Sequence, residues 1–375
     1  MPTMKRRFYA ALHPLYRALF PTRVEAHARV PSTARRVLVV RPDRLGDMIL
    51  TTPVFDLLPQ LAPGVEVDVL ASPRNATLLD GDARVARVFI DDGHLATPWR
   101  LRRALRERRY DAIFSLVPGQ SMRAGWTAAL AAHPATHRVS TWRPKRYHGF
   151  FTRVVRLPRS LTTAHVARQM SYVVRAAFAP SPRDTAAASA LGAPIRLHVS
   201  AAARATAAAW LTERGIGTFV ALNLRSAAAA RSWSAGEAIA LLPMLLGAHP
   251  RLHIVMVPGP GDAAEAEGVR VAADSARVHL FDPAAPLLTL AALVERAVMM
   301  ITPDTMTLHL AVATGRPVLS LHTLTDGNVP DLWKAIGVPS RALVAPRGQG
   351  VSAIGAPEVA AGFAQLVREA GVSLD

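Results

Sequence analysis

The run Arg36 to Arg41, RVLVVR, is apolar without alternation between its charged ends, the pattern of a strand buried on both faces. The period then changes. In PDRLGDMILTTPVFDLLPQL, Gly46 and Asp47 open a helical pattern carried by Ile49, Val54, Leu57 and Leu58. Further strands are predicted over 65–71, 87–90 and 111–117, with an Arg-rich helix over 98–109. In the second half, helices at 200–214, 237–248, 263–273, 287–296, 308–314 and 359–370 are predicted. They alternate with strands at 219–224, 252–257, 278–281, 297–301 and 317–321. Such alternation predicts an α/β protein with parallel sheets covered by helices. Ala179 to Pro194, APSPRDTAAASALGAP, has almost no large apolar side chain and reads as a linker. This places a linker at 181–194 between a first Rossmann-like domain, 36–180, and a second, 195–375. The two are expected to face each other across a cleft. The length of 375 residues suits two domains.

Residues 1–35 precede the first strand. Within KRRFYAALHPLYRALF, residues 5–20, Phe8, Leu12, Leu15, Tyr16 and Leu19 recur at helical spacing beside Lys5, Arg6, Arg7 and Arg17. This basic amphipathic extension reads as a helix lying on a membrane, interrupted by Pro14, or as one packed on its own domain. The stretch 283–294 is too short to span a bilayer, and no uninterrupted apolar region marks a secretory signal.

Charge sharpens the picture. The chain carries 44 Lys+Arg and 27 Asp+Glu, net +17. Up to Ala187 there are 30 basic and 13 acidic residues; beyond it there are 14 of each. A genome-wide arginine bias raises both parts alike, so the first domain is expected to meet an anionic surface or ligand. Arg100, Arg102, Arg103, Arg106, Arg108 and Arg109 share one predicted helix, as a basic patch or a solvated face. Arg138, Arg143, Lys145, Arg146, Arg153, Arg156 and Arg159 fall in a predicted loop-rich stretch. Trp142, Tyr147, Phe150 and Phe151 are interleaved there, a mix suited to a phosphate-bearing, partly apolar partner. The absence of cysteine excludes disulfides, a thiolate nucleophile and a Cys-ligated zinc site.

Candidate chemistry sits after strands. Asp47 follows the first, where α/β sheets bind ligands. It can accept a proton from a substrate hydroxyl, or simply stabilise a helix N-terminus. In TPDTMTLHLAVATGRP, residues 302–317, Asp304 or Thr305 can cap the following helix, and His309 shares a side with Thr305. That is a diphosphate site, or a capped helix with a core histidine. VPGPGD, 257–262, lacks the dinucleotide and P-loop spacings and reads as a tight turn, though Asp262 or Glu265 can meet a ribose. Arg225, Ser226 and Arg231 suit phosphate recognition, while Trp233 reads as a packing residue. No HxH, HExxH or GxSxG spacing occurs, so no metal site or serine nucleophile is expected.

RVLVVRPDRLGDMILTTPVFDLL resembles the opening strand and helix of glycosyltransferase family 9, the bacterial heptosyltransferases. ITPDTMTLHLAVATGRPVLSLHT resembles its D-T-G-x-x-H region, and SAIGAPEVAAGFAQLV its closing helix. The resemblance runs from about 36 to 372. It implies a GT-B fold and an inverting, cofactor-free and metal-independent transfer. The implied donor is a nucleotide sugar, most often ADP-heptose, and the acceptor a lipopolysaccharide core or related glycolipid. It implies Asp47 as the general base, and Asp304, Thr305, His309, Arg231, Ser226 and Arg225 around the donor diphosphate. Asp262 and Glu265 fall to the nucleoside; Arg44, Arg143, Lys145 and Arg146 fall to the acceptor. The implied location is cytoplasmic, at the inner face of the membrane, with no nucleic-acid partner. Three departures stand out: Met306 where the family usually has Gly, Arg231 in place of a Lys, and Leu224-Arg225-Ser226 in place of the usual Gly-rich turn after the strand. The alternatives are a catalytically silent relative that binds a glycolipid or a partner, and a basic nucleic-acid-binding protein.

Overall fold

A computed structural model of the chain describes residues 29–117, 121–141, 149–179, 193–325 and 329–374, together with Pro14. The amphipathic stretch 5–20 apart from Pro14, the linker up to residue 192, and Trp142, Arg143, Lys145, Arg146 and Tyr147 lie outside the described residues. The chain divides into two compact units, Met1–Pro194 and Ile195–Asp375.

The first unit holds a parallel sheet of six strands: β1 Arg36–Arg41, β2 Glu66–Ala71, β3 Arg87–Ile90, β4 Ala112–Ser115, β5 His137–Thr141 and β6 Arg153–Val155. Their order across the sheet is β3-β2-β1-β4-β5-β6. The continuous apolar runs become the central strands: Val37 to Val40 are fully buried, with Val37 opposite both Val67 and Ala112. Below them Leu38, Val40, Ile113, Trp126 and Phe150 share one core.

The predicted loop over 138–159 is corrected here. It contains β5 and β6, and Phe150 and Phe151 are buried in the core rather than held out to a partner. Phe150 lies 6.0 Å from Trp126, on the helix Met122–Ala131. The Arg-rich helix runs Thr97–Glu107, and Arg109 turns out of it with a left-handed φ of 51°. Its arginines are partly structural. Arg108 donates to buried Asp68 at 2.7 Å and to Glu66 at 2.7 Å, and Arg106 donates to the Ala132 carbonyl. Tyr110 also donates to Asp68, and burial pushes its hydroxyl pKa up. Arg103 pairs with Glu107 on the exposed face.

The second unit repeats the design. Its strands are β7 Phe219–Leu222, β8 His253–Met256, β9 Val278–Leu280, β10 Met299–Pro303, β11 Val318–His322 and β12 Ser340–Val344. They are parallel, in the order β12-β11-β10-β7-β8-β9. Val220, Leu242, Ile254, Ile301, Leu319 and Phe363 form the core on one side. Trp233 is completely buried there and donates its indole N–H to the Ile354 carbonyl at 2.8 Å. In both sheets the unit's first strand lies between its second and fourth. The chain therefore leaves that strand at the point where connections diverge to opposite sides, the usual location of a ligand crevice.

Candidate active site

In the first unit the divergence point carries Asp47. The helix Leu45–Ile49 starts four residues after β1 and ends after barely more than one turn. Thr51 N–H returns to Met48 O rather than to Asp47 O. The Asp47 carbonyl is thus left for other donors. It takes the Thr51 hydroxyl at 2.8 Å and both Nε and Nη2 of Arg41, at 3.2 and 3.1 Å.

Arg41 is the last residue of β1, and its side chain is 0% exposed. A guanidinium with no water must be surrounded by acceptors. Besides Asp47 O, its Nη1 donates to the Leu116 carbonyl after β4 and lies 3.0 Å from Asp43 Oδ2, and its Nη2 lies 3.4 Å from Asp47 Oδ1. One buried cation therefore holds the backbone and the carboxylate of Asp47 together. Burial pushes the Asp43 carboxyl up to about 6 against the pull of Arg41, and the neighbouring Asp47 adds to the rise. Asn75, on the helix Pro73–Ala76, donates to the Arg41 carbonyl at 2.9 Å and pins the strand end. Arg44 caps the helix as an extended residue. It is exposed, with no ion-pair partner among the described residues.

In the second unit two segments meet, one after β7 and one after β10. Asn223, just past β7, donates to Thr307 at 3.0 Å, to Thr302 at 3.2 Å and to the Arg225 carbonyl at 2.9 Å. The Thr302 and Thr307 hydroxyls are themselves 2.7 Å apart. This buried polar knot fixes the Arg225 loop against the start of the helix Met306–Ala313. Arg231 then reaches Asp304, at 3.6 Å between Nη1 and Oδ2.

That helix begins two residues earlier than the pattern predicts. Thr305 occupies its N-cap in extended backbone, but no side-chain hydrogen bond caps it. The expectation that Asp304 or Thr305 caps the helix is therefore not met: Asp304 is turned to Arg231 instead. Met306 takes the first helical position, and His309 is buried one turn in. Next to them, at the end of β11, His322 is fully buried and bonded to Ser320 at 2.9 Å. Burial pushes its pKa down, opposed by the Asp304 carboxylate.

Arg225 lies with Asp262 and Glu265, 3.6 and 3.2 Å from its Nε. These three, with Asn223, Met256 and Pro258, line a hollow of about 220 Å3, counting space open to solvent. The Ser226 amide donates to the Ser232 hydroxyl, which tightens the same loop. Among the described residues no group of three or more His, Asp or Glu side chains is gathered as metal ligands. Among them also, no helix is long and apolar enough to cross a membrane.

The sequence profile described as glycosyltransferase family 9 (heptosyltransferase) matches residues 98–349, well over half of the chain. The chain belongs to glycosyltransferase family 9. It is accordingly a glycosyltransferase. The matched span takes in the whole Arg225–His309 constellation and stops short of Asp47. No curated protein matches the chain by sequence.

Solved structures agree with the fold. The family 9 glycosyltransferase of Veillonella parvula superposes with a TM-score of 0.75 at 19% identity, covering 89% of this chain and 97% of its own. Escherichia coli ADP-heptose lipopolysaccharide heptosyltransferase II gives 0.74 at 19% identity, covering 89% and 99%. The E. coli heptosyltransferase WaaC, solved with ADP, gives 0.65 at 21%, also covering 89% and 99%. The fold is thus the GT-B-like α/β architecture of family 9 heptosyltransferases, with two parallel six-stranded sheets.

Sequence reasoning passed over two residues of the first-unit site. Arg41 read only as the end of a strand, and Asp43 was given no role. The available signal was a positive charge closing an otherwise apolar run, since a buried cation needs acidic partners nearby in space.

Proposed function

We propose that the chain transfers heptose from ADP-heptose to a lipopolysaccharide core or related glycolipid, with inversion and without a metal. Asp47 is the general base. It takes the proton of an acceptor hydroxyl while that oxygen bonds to the anomeric carbon. The bond from that carbon to the diphosphate breaks, and the nucleoside diphosphate leaves with the electron pair. Residues 36–180 serve the acceptor and 195–375 the donor. The uncapped N-terminus of Met306–Ala313, with Thr305, His309 and Arg231, receives the diphosphate. Arg225 and Ser226 assist there, and Asp262 and Glu265 take the nucleoside. Arg44 and the basic residues Arg143, Lys145 and Arg146 meet the phosphates of the acceptor. The extension 1–35 rests on the anionic inner face of the cytoplasmic membrane.

The observation that carries this reading is the seat of Asp47, a carboxylate at the divergence point of a parallel sheet, braced by a buried guanidinium. The donor assignment is supported by the neighbours, since WaaC was solved with ADP and with ADP-2-deoxy-2-fluoro heptose. The charge division supports the roles of the halves: the basic half faces a phosphorylated glycolipid, while a soluble nucleotide sugar needs only local contacts.

A thermal-shift panel of ADP, UDP, GDP and ADP-heptose tests the donor. Ligand at about 100 times its Kd stabilises by ~2.7 kcal/mol, so ADP compounds alone should raise the midpoint by several degrees. A rise with UDP or GDP instead would replace the sugar nucleotide. Asp47→Asn should leave that binding intact and lower kcat by about 10²- to 10⁴-fold. Unchanged transfer by this variant would remove Asp47 from the base role.

A further inference from the structure

Asp43 lies beside the proposed base and has no task in the transfer itself. It is placed by the same cation: Arg41 sends Nη1 to Asp43 and Nη2 to Asp47, so one planar fork brackets two carboxyls. Arg41 is completely buried and cannot swing away to serve one of them alone. Asp43 Oδ1 is buried and accepts from no donor among the described residues. Its polar neighbour is the Asp47 carboxyl, which the same guanidinium holds 3.4 Å from Nη2. Two carboxylates cannot hydrogen-bond to each other without a proton between them. A pair held that close by one cation is one charge short of neutral compensation when both are ionised.

We propose that Asp43 is the proton partner of Asp47, so that the two carboxyls bracketing Arg41 act as one base and share the single proton taken from the acceptor. This rests on the reading of Asp47 as general base. In that reaction the acceptor O–H proton moves to Asp47 as the new C–O bond forms and the diphosphate leaves. The proton then passes along the carboxyl–carboxyl hydrogen bond to Asp43, which returns it to solvent. Asp47 emerges ionised for the next turnover. Asp43 is thus a positioning and proton-storing residue that acts through Asp47. Its elevated ionisation, near 6, fits a store that fills in mildly acidic solution and empties at neutral pH.

The groups that face Asp43 are few. From β1 there is Arg41, and from the helix Leu45–Ile49 there is Asp47. From Pro73–Ala76 comes the uncharged Asn75 amide, 3.4 Å from the Asp43 carbonyl. Arg74 on that short helix and Arg44 beside Asp43 are exposed. Past β4 the contact to Arg41 is a backbone carbonyl.

The test uses the full chain with 13C-labelled aspartate and follows the carboxyl carbons by NMR as pH is varied. Signals are assigned by their loss in Asp43→Asn and Asp47→Asn. Asp43 should titrate near 6 in the wild type. In Asp47→Asn, where the neighbouring charge is gone, it should fall by about one unit or more. Titration of Asp43 in the ordinary carboxylate range, or indifference to Asp47→Asn, overturns the pairing.

The second arm measures transfer from ADP-heptose to lipopolysaccharide core. The acidic limb of kcat should follow the shared proton near pH 6. In Asp43→Asn the limb should move to lower pH, with kcat down by about tenfold and the donor KM little changed. Asp43→Glu, which restores a carboxyl, should recover the limb. A limb that stays in place in Asp43→Asn overturns the proposal. Absence of any transfer by the wild type would instead strike the reading of the reaction, while the carboxyl titration still decides the pair.

Discussion

Arg41 carries a full positive charge into an interior where its side chain meets no water. It is tolerable there because every face of the guanidinium finds an oxygen: two carbonyls and two carboxylates. Replacing it by Met keeps most of the volume and removes the charge. Asp43 and Asp47, both half-buried, would then lie side by side with no cation between them. Arg41→Met should cost about 3–5 kcal/mol, the usual penalty for stripping one partner from a buried pair, read by urea unfolding of the first unit. It should also cost activity, since the same residue holds the Asp47 backbone. A stability unchanged by Arg41→Met would mean that the carboxyls are solvated after all.

Among the elements, the helix Met122–Ala131 shows how tightly the first unit is packed. A Cβ placed on Gly125 would stand 2.6 Å from Cδ2 of Phe150 and 2.8 Å from its Cγ. Phe150 is completely buried and its ring has no free side to retreat to. Gly125→Ala therefore overpacks the core and should destabilise by about 1–3 kcal/mol, measured by chemical denaturation, despite Ala being the better helix former. This helix was not legible in the sequence, and neither were β5, β6 and β12. The central strands were readable because burial on both faces leaves an unbroken apolar run, as in β1 and β8. An edge strand buries one face only. In β12, Ser340–Val344, only Leu343 is buried, and β6 buries only Val155. Arginines at 138 and 153 disguised strand as basic loop. At the site, Asp47, Asp304 and Arg231 could be singled out because they follow recognisable strands. The partners Arg41, Asp43 and Thr307 could not, because what selects them is distance across the fold.

At the level of the whole molecule, the two units answer acid with opposite signs. In the first, burial raises Asp43 to about 6, above the usual carboxylate value. The folded form then binds the proton more readily than the unfolded chain. Its ionisation burdens the fold above about pH 6, and the burden lifts as pH falls through that value. In the second unit burial lowers the pKa of His322, and burial also lowers those of His253 and His279, whose rings stack with nitrogens 2.9 Å apart. Here the unfolded chain binds protons first. Their contribution is complete above the free-histidine value near 6.5 and is lost as pH falls below it. Calorimetry of the full chain at pH 7.5 and 5.5 should therefore show the second unit melting earlier at the lower pH, while the first holds or gains. His253→Gln with His279→Gln should flatten that loss. A parallel drop of both transitions would contradict the assignment.

The order of strands also has a consequence in time. In each unit the strand made first ends up in the middle of the sheet, beside the second on one flank and the fourth on the other. On the ribosome, β1 can pair with β2 soon after both emerge. Its other flank waits until Ala112–Ser115 has been synthesised. At about 5–20 residues per second that interval lasts several seconds. Throughout it, β1, whose Val37 to Val40 are fully buried in the finished unit, presents an open row of amides and carbonyls to whatever is nearby. The nascent chain is then at its most adhesive, and the buried Arg41 at the end of that strand does not yet have the Leu116 carbonyl to close around it.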